Sequence, residues 1–371
     1  MDFALGETQQ AVAAAAAPVL DRSHPPPAPA EDGRAPWDEA LWKELAHAGL
    51  LGLAVPDWLG GDGLGVMDTA VLLTEAGRRA APVPALATLA MGVLPVVRWG
   101  DRGLQRVLLD GVAAGDTVLT AAVREPSDPM PLAPATTVRD GRVSGVKTGV
   151  QYGAAARWIL VPASLAPSAD RLGGTGVAVV DPSAGGVKLR PTPSSTGGPE
   201  YTLQLDEAPV AHLLRDDHAA TDLYRLTLAG AACLADGALA GALALTTAHV
   251  GSRKQFGRPL AAFQAVAQQI ADVCIVSRTL HLAAVSACWR LETGREADGD
   301  LDVAAYWLAG QAPGGLRTCH HLHGGTGMDV TYPLYRYSAL VKDLVRLVGG
   351  ADYRLDRLGA RLGAGTGVTG G

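Results

Sequence analysis

The chain has 371 residues, enough for roughly two or three domains with a large hydrophobic core. Its 31 Lys and Arg against 37 Asp and Glu give a formal net charge of −6, which argues against a nucleic-acid-binding protein. With 48% hydrophobic and 18% charged residues, the composition is typical of a packed globular protein and excludes a disordered one.

The cysteines and the apolar segments indicate a cytoplasmic protein. The four Cys (233, 274, 288 and 319) have no C-x-x-C spacing, so we expect reduced core residues in a cytosolic protein. The apolar run from Ala11 to Leu20 follows Asp2 and Glu7 and no basic residues, which favours an amphipathic first helix over an export signal. No later stretch reaches about 20 uninterrupted apolar residues, and we therefore expect no membrane insertion.

Residues 2–120 are predicted to form helices with short breaks. The prolines of H-P-P-P-A-P-A (24–30) exclude a helix there, because proline lacks the amide donor and constrains the preceding residue. Apolar residues at helical spacing predict helices over 37–51, 67–79 and 84–109. The glycine-rich stretch 54–65 lacks the Lys-Ser/Thr ending of a P-loop, so it is predicted to be a turn and not a phosphate loop.

The pattern changes to short β-rich runs between Thr117 and His212, separated by Gly, Pro and Asp turns. Asp140-Gly141, between two such runs, is a strong signal for a hairpin. We predict a small β-sandwich or barrel of about 95 residues.

Long helices return after Asp217, over 223–250, 263–291, 303–322 and 335–347, with a final helical tail. Small residues dominate the first of these helices and permit close helix–helix approach in a bundle. The predicted organisation is an N-terminal α-helical domain (1–116), a central β domain (117–212) and a C-terminal helical bundle (213–371).

The stretch S-R-K-Q-F-G-R-P-L-A-A-F-Q (252–264) joins two of the long helices and concentrates polar chemistry. Its charged, amide and aromatic side chains include Arg253, Lys254, Gln255, Phe256, Phe263 and Gln264. Such a group suits an anionic, partly aromatic ligand, because a guanidinium forms paired, charge-assisted hydrogen bonds with phosphate oxygens. A helix–turn–helix corner with solvated charges explains the same residues, and the residues alone leave both interpretations open.

The order of domains and three strings resemble the acyl-CoA dehydrogenase family. The strings are L-W-K-E-L-A-H-A-G-L-L-G-L-A-V-P-D-W-L-G-G-D-G-L-G (41–65), the 252–264 stretch, and H-L-H-G-G-T-G-M-D-V-T-Y-P (321–333). The resemblance covers nearly the whole chain. It implies an α+β fold with an N-terminal α-helical domain, a central β-barrel or sandwich domain and a C-terminal four-helix bundle.

In this family FAD lies between subunits, and one set of residues contacts the flavin of the neighbouring subunit. The matching residues here are Arg253, Phe256, Gln264, His321, Gly324, Gly325 and Gly327, with His321 where the family usually has Gln. The arginine would neutralise diphosphate charge, and the glycines would let the backbone approach the ligand. A metal site at the nearby histidines is disfavoured because no carboxylate lies at helical spacing from them, so we predict none.

A second set of family residues serves the chain's own flavin and substrate, and here the sequence departs from the pattern. The string T-E-P-x-A-G-S-D is shortened to R-E-P-S-D (124–128), and the flavin-contacting W-I-T is replaced by T-G-V-Q-Y (148–152).

The family's catalytic Glu, which abstracts the α-proton of the acyl thioester, is also absent. Its position falls on Val348 or Gly349, or, as in some members, near Thr227. None of these side chains is a base of suitable pKa at pH 7. The nearby carboxylates are Asp236, Asp329 and Asp352, each predicted to be a helix-end or surface residue.

The resemblance therefore implies the base-lacking subunit of an α2β2 acyl-CoA dehydrogenase. A homologous partner would supply the Glu and bind the acyl-CoA, the β-hydride would pass to the flavin, and an electron-transfer flavoprotein would take the electrons. The chain resembles base-lacking members of actinobacterial steroid side-chain degradation, and T-Y-P-L-Y-R-Y (331–337) is similar to that branch, so a steroid-CoA substrate is expected. Two alternatives remain: a homomeric flavoenzyme with other chemistry (oxidase, reductase or monooxygenase), and a non-catalytic scaffold subunit.

Overall fold

The computed structural model describes residues 3–22, 37–167 and 173–365. The proline-rich segment predicted to be a loop (24–30) lies outside the described residues. Among the described residues, helices occupy both ends of the chain and most strands lie between them.

The helices are α1 (Glu7–Leu20), α2 (Glu39–His47), α3 (Val66–Arg78), α4 (Leu94–Trp99), α5 (Arg102–Leu109), α6 (Ala219–Ser252), α7 (Gln264–Glu292), α8 (Asp298–Tyr306), α9 (Ala312–His323), α10 (Leu334–Leu347) and α11 (Ala351–Gly365). The strands are β1 (Leu119–Ala121), β2 (Thr137–Arg139), β3 (Arg142–Gln151), β4 (Trp158–Leu165), β5 (Gly174–Val180), β6 (Val187–Pro191), β7 (Glu200–Pro209), β8 (His212–Leu214), β9 (Lys254–Gln255) and β10 (Arg258–Pro259).

Local sequence signals account for several element ends. Asp38 and Asp101 cap α2 and α5, because their carboxylates accept the amides of Leu41 and Leu104. The helix predicted over 84–109 is instead a π-helical segment (Leu86–Val93) followed by α4 and α5, which are separated at Gly100. The sequence did not predict β8, β9 or β10.

Strands β1 to β8 form one mixed sheet, in the order β6-β7-β3-β2-β4-β5-β8 with β1 beside β4. The β1–β4 and β2–β4 pairs are parallel and the others antiparallel. Asp140 and Gly141 both have positive φ, 48° and 74°, as a tight hairpin turn requires, so the predicted β2–β3 hairpin is confirmed. Aliphatic side chains from β3, β4, β5 and β7 form the buried core of the sheet.

The described residues divide into two compact units. One contains the described residues of Leu5–Leu72 and Ala81–Gly230, and so includes the eight-stranded sheet; the other contains Leu73–Ala80 and the described residues from Ala231 onward.

In the second unit, the end of α3 crosses α6 in backbone contact through glycines. A Cβ atom added to Gly77 would lie 2.0 Å from the Leu234 carbonyl oxygen, and one added to Gly237 would lie 1.9 Å from that of Thr74. These distances are too short for any side chain, so the small residues predicted to allow close helix packing have that role here. Tyr337 donates to the carbonyl of Arg78 at the end of α3.

Replacing Gly237 by alanine is expected to lower the free energy of unfolding by about 1–3 kcal/mol, because the helices have to separate to admit a methyl group. The matched control is Gly251→Ala on the same helix, where an added Cβ meets nothing within 4 Å. That change is expected to be neutral or to stabilise by up to about 1 kcal/mol. Urea denaturation followed by circular dichroism measures both; equal effects would contradict the close crossing.

Two of the described helices, α6 and α7, are long and apolar enough to cross a membrane by length and composition. The most apolar window of α6 is 78% buried in protein, as expected for a core helix. The corresponding window of α7 is 28% buried, so much of its apolar surface is exposed on this chain. Because length and composition do not separate a core helix from a membrane span, the absence of membrane insertion stays a prediction.

Three of the four cysteines are buried, but Cys274 on α7 is exposed. The prediction that all four are core residues is therefore wrong for Cys274. Cys233 on α6 and Cys288 on α7 lie with their Sγ atoms 3.4 Å apart. The hydrogen bond with Cys288 and burial raise the pKa of the Cys233 thiol, which favours its protonated form.

Candidate functional site

The 252–264 corner is a short hairpin between two helices and not a simple turn. Helix α6 ends at Ser252, β9 and β10 pair antiparallel, and α7 begins at Gln264. Phe256 and Gly257 form the tip, with φ of 51° and 80°, and the Leu260 amide donates to the Arg253 carbonyl across the base. Two-residue strands carry too little alternation to be recognised in a sequence.

The hairpin presents its polar and aromatic side chains outward. Arg253, Lys254 and Gln264 are exposed, and within the described part of the chain their side chains make no hydrogen bond or ion pair. Phe256 is 92% exposed. Exposed donors and an exposed ring are suited to a ligand or a protein surface that this chain does not itself supply.

The glycine loop (Gly324–Met328) follows directly on α9. Gly324 has a φ of 57° and a ψ of −136°, a conformation that favours glycine, and it ends the helix. A Cβ atom added to Gly324 or Gly325 would meet nothing within 4 Å, whereas one on Gly327 would come within 2.9 Å of the His323 Cβ. Gly324 and Gly325 thus leave open space along the backbone, and Gly327 lets the loop fold against α9.

Two histidines bring the hairpin and the glycine loop together. The rings of His249 and His323 stack with centroids 4.4 Å apart and planes inclined by 22°. His249 lies one helical turn before Arg253 on α6, and His323 directly precedes Gly324. The predicted arginine and the predicted glycines therefore extend from adjacent helix ends. His321, also predicted, lies exposed on α9.

The other two histidines of α9 support the glycine loop through hydrogen bonds. His320 has its Nδ1 2.9 Å from the Gly327 carbonyl and its Nε2 2.7 Å from the Ser338 hydroxyl. His323 has its Nδ1 2.8 Å from the Cys319 carbonyl and its Nε2 3.0 Å from the Tyr332 hydroxyl. Carbonyls only accept, so each ring is assigned an Nδ1–H that donates, and each hydroxyl can donate to Nε2.

The surroundings favour the neutral form of the stacked rings. Burial, assisted by His249 and His320, lowers the pKa of His323 below its usual value. Burial and the charge of Arg253 lower the pKa of His249. The sequence signal that could have found His249 is its spacing of four residues from Arg253, which is about one turn at the end of α6.

The two shortened or replaced strings lie side by side in the first unit. Arg124 and Thr148 form a backbone bridge, and a Cβ atom on Gly149 would lie 3.2 Å from an Arg124 guanidinium nitrogen. The Nζ atom of Lys147 lies 2.8 Å from a Glu125 carboxylate oxygen, and both side chains are buried. The space around these two strings is therefore occupied by charged side chains of the chain itself, namely Arg124, Glu125 and Lys147.

The Glu125–Lys147 pair is held in its charged form. Burial alone would raise the pKa of Glu125, but hydrogen bonds from Lys147 and Thr136 keep it below the usual value. Burial lowers the pKa of Lys147, and the Glu125 charge opposes that change. Glu125 also accepts hydrogen bonds from the backbone amides of Ala135 and Thr136, so this carboxylate has a structural role.

The positions implied for the family's base carry no proton acceptor. Thr227 is buried and its hydroxyl donates to the Leu223 carbonyl, 2.7 Å away. Val348 is buried, and its carbonyl accepts from the buried Arg354 at 2.5 Å. Gly349 has a φ of 96°, a conformation in which a glutamate would be strained.

Of the three nearby carboxylates, Asp329 and Asp352 are exposed as predicted. The prediction is wrong for Asp236, which is buried in α6 with its carboxylate 2.8 Å from the Nδ1 of His281 on α7. The interhelix partner makes burial of this carboxylate possible.

Comparison with known proteins places the chain in a family. Two family models match it: the acyl-CoA dehydrogenase N-terminal domain over residues 6–116, and the acyl-CoA dehydrogenase C-terminal domain over residues 220–361. Acyl-CoA dehydrogenase FadE28 of Mycobacterium tuberculosis is 45% identical over 362 residues, which cover 97% of this chain and 99% of that protein.

Solved structures share the fold over almost the whole chain. The Tcur3481-Tcur3483 steroid ACAD, in its G363A variant, has a TM-score of 0.88 at 34% identity and covers 98% of this chain and 99% of that one. The ChsE4-ChsE5 complex from Mycobacterium tuberculosis has a TM-score of 0.87 at 29% identity with the same coverage. A glutaryl-CoA dehydrogenase from Mycobacterium smegmatis in complex with FADH2 has a TM-score of 0.84 at 19% identity, covering 97% and 95% of the two chains, and shares the fold.

The three-part architecture and the family resemblance read from the sequence are thus confirmed. With both domain models matched and a relative 45% identical over nearly its full length, the chain belongs to the acyl-CoA dehydrogenase family.

Proposed function

We propose that this chain is the subunit without a catalytic carboxylate in a heteromeric, FAD-dependent acyl-CoA dehydrogenase, and that a homologous partner supplies the base. The observation that carries the proposal is the state of the two base positions. Val348 is buried, Gly349 has a backbone conformation that would strain a glutamate, and the Thr227 hydroxyl donates to a backbone carbonyl. Removal of the α-proton of a thioester needs a base within hydrogen-bond reach, and none of these residues can act as one.

Neighbouring carboxylates are committed to other partners and do not replace the missing base. Asp222, five residues before Thr227, accepts from Arg98 and from the Trp99 indole, each at 2.9 Å. Asp343, five residues before Val348, is paired with Arg346 at 3.0 Å. Both carboxylates therefore already bind a cationic side chain of this chain.

The exposed donors of the hairpin fit the diphosphate half of FAD. Arg253 offers a planar set of N–H groups, Gln264 offers an amide, and the open space at Gly324 and Gly325 admits close backbone approach. When bound, FAD supplies the hydride acceptor of the dehydrogenation. The residues proposed to contact it are Arg253, Phe256, Gln264, His321, Gly324, Gly325 and Gly327.

An exposed apolar surface supports association with a second subunit. Ile275 on α7 is 62% exposed. Phe256 in the hairpin, and Met328 and Val330 in and after the glycine loop, are each more than three-quarters exposed. Large apolar side chains exposed to this degree are available to be buried against a second protein. Two similar solved structures, ChsE4-ChsE5 and Tcur3481-Tcur3483, are named as pairs of different proteins, which supports a heteromer.

The same comparison supports a steroid-CoA thioester as the substrate, because Tcur3481-Tcur3483 is named a steroid ACAD. The electron acceptor is then an electron-transfer flavoprotein, and the complex works in the cytoplasm. Neither the acceptor nor the acyl group is identified by a contact within this chain, and both follow from the family resemblance.

Co-expression with homologous chains that carry the family's Glu tests the proposal. We expect a stable complex with one FAD per pair of unlike chains, measured by native mass spectrometry and by the absorbance of released flavin. One FAD per chain, or an isolated chain that is yellow and active, would contradict it and favour a homomeric flavoenzyme. A complex with the flavin content and activity of the partner alone would favour a scaffold.

A further inference from the structure

We propose that His249 and His323 are positioning residues whose stacked rings hold Arg253 beside the glycine loop and so assemble the anion site. The inference rests on the proposed function, because the anion is the FAD diphosphate. Neither histidine belongs to the set of contact residues proposed above, and neither has to touch the ligand to act.

The stack is a side-chain contact between the end of α6 and the end of α9, beside a contact of Thr246 with Cys319. The ring centroids are 4.4 Å apart, close enough for direct van der Waals contact between the two imidazoles. Arg253 follows His249 by one turn, and Gly324 follows His323 directly, so both phosphate-binding groups are fixed relative to this contact. Loss of the stack would free the hairpin to move relative to the loop.

Hydrogen bonds fix the buried member of the pair. The Nδ1–H of His323 donates to the Cys319 carbonyl of its own helix, and its Nε2 accepts from the Tyr332 hydroxyl. Its ring also lies 5.2 Å from that of Tyr332. A protonated Nε2 would instead donate to the Tyr332 oxygen, so the hydrogen bonds hold the ring in place in either form, and burial with neighbouring histidines favours the neutral one.

Except for Asp329, the groups around the stack are cationic or neutral. The positively charged Arg253 directly follows α6, His320 lies on α9, and Tyr332 lies in the segment after the glycine loop. The Cys319 thiol is buried, and its pKa is raised, so it adds no negative charge. Asp329 is the nearby anionic residue; it is fully exposed, and its carboxylate accepts from the backbone and hydroxyl of Thr331.

The sign of the pH effect follows from these surroundings. The pKa values of both histidines lie below their usual value of about 6.5, so the unfolded chain binds protons more readily than the folded one. The stack stabilises the folded state fully above about pH 6.5, and this stabilisation is lost as the pH falls through the pKa values that the two histidines have in the folded protein. Acid is therefore expected to open the stack and weaken the anion site.

The test measures the FAD dissociation constant of the flavin-containing complex between pH 7.5 and pH 5.5, from the fluorescence of released FAD. In the wild type we expect FAD binding to weaken as the pH falls. His249→Phe keeps an aromatic ring but cannot be protonated, so its FAD binding should stay nearly constant over this range. His249→Ala loses the stacking, and its binding should be weaker by about three- to tenfold even at pH 7.5.

Several outcomes would overturn the inference. Tighter FAD binding in acid that disappears in His249→Phe would identify His249 as a cationic ligand and not a positioning residue. Wild-type behaviour of both His249 variants, together with loss of FAD in Arg253→Ala, would reject the inference alone. No change in Arg253→Ala would reject the proposed anion site itself.

A spectroscopic measurement keeps the inference testable if a variant does not fold. Nuclear magnetic resonance titration of the wild-type imidazoles should give pKa values below the usual value for both His249 and His323. In His249→Phe the pKa of His323 should rise, because one nearby titrating group is removed. Ordinary pKa values for both rings would contradict an uncharged stack.

Discussion

Replacing Lys147 by methionine is expected to lower the free energy of unfolding by about 3–5 kcal/mol, because it leaves Glu125 charged and unpaired in the interior. Lys147 is 0% exposed and Glu125 is 5% exposed. The carboxylate keeps its bonds from the amides of Ala135 and Thr136, but these do not replace the lost cation. Urea denaturation at pH 7, followed by circular dichroism, measures the change.

The matched control is Arg157→Met, in the same sheet. Arg157 pairs with Asp181 at the surface, where its side chain is 54% exposed, and an exposed pair contributes at most about 1 kcal/mol. A loss in Lys147→Met no larger than in this control would contradict a strongly coupled buried pair.

The pH dependence gives a second check on the same pair. In the wild type the pKa of Glu125 is lowered, so the pair's stabilisation is present above the unfolded carboxyl pKa and is lost as the pH falls through the folded value. Without Lys147, burial raises the pKa of Glu125, and the carboxyl can become neutral in the folded protein. The cost of Lys147→Met should therefore shrink as the pH is lowered from 7 toward 5.

Replacing Arg253 by alanine is expected to weaken FAD binding to the complex by about tenfold to a hundredfold, the effect of losing charge-assisted hydrogen bonds of about 1.5–3 kcal/mol. The stability of the isolated chain should hardly change, because the exposed Arg253 side chain makes no bond within the described residues. Flavin fluorescence gives the dissociation constant and thermal unfolding gives the stability.

Two variants sharpen this experiment. Lys254→Ala removes an adjacent exposed charge of the same hairpin and should change FAD binding by no more than about twofold, since a point charge alone is screened by salt. Arg253→Lys keeps the charge but loses the planar arrangement of donors, so it should fall between the wild type and Arg253→Ala. Equal losses in Lys254→Ala and Arg253→Ala would indicate a general charge effect and no specific site.

The sequence alone identified the order of elements and the family. Local patterns were sufficient to predict features that lie within one segment. These are the Asp140-Gly141 turn, the long helices α6 and α7, and the absence of a carboxylate at Val348, Gly349 and Thr227. These features depend on residue identity and on the spacing of residues along one segment, and both are observed directly in a sequence.

The tertiary structure decided which polar groups are buried and which elements meet. Lys147 lies on the buried face of β3 with Val143, and its charge is tolerated there because Glu125 reaches it from another segment. Asp236 is buried because His281 reaches it from another helix. A sequence pattern predicts which side chains share one face of a helix or strand. Burial of a charged side chain depends in addition on a partner from a different helix, strand or loop.

The 252–264 stretch illustrates both sides. Its residue types predicted an anion site, and the structure leaves Arg253 and Gln264 exposed for such a role. The stack of His249 on His323, which sets the stretch beside the glycine loop, was not predictable because the two residues are distant in the sequence. The sequence specifies which chemical groups are present, but the distance between two helix ends is determined only when the helices pack.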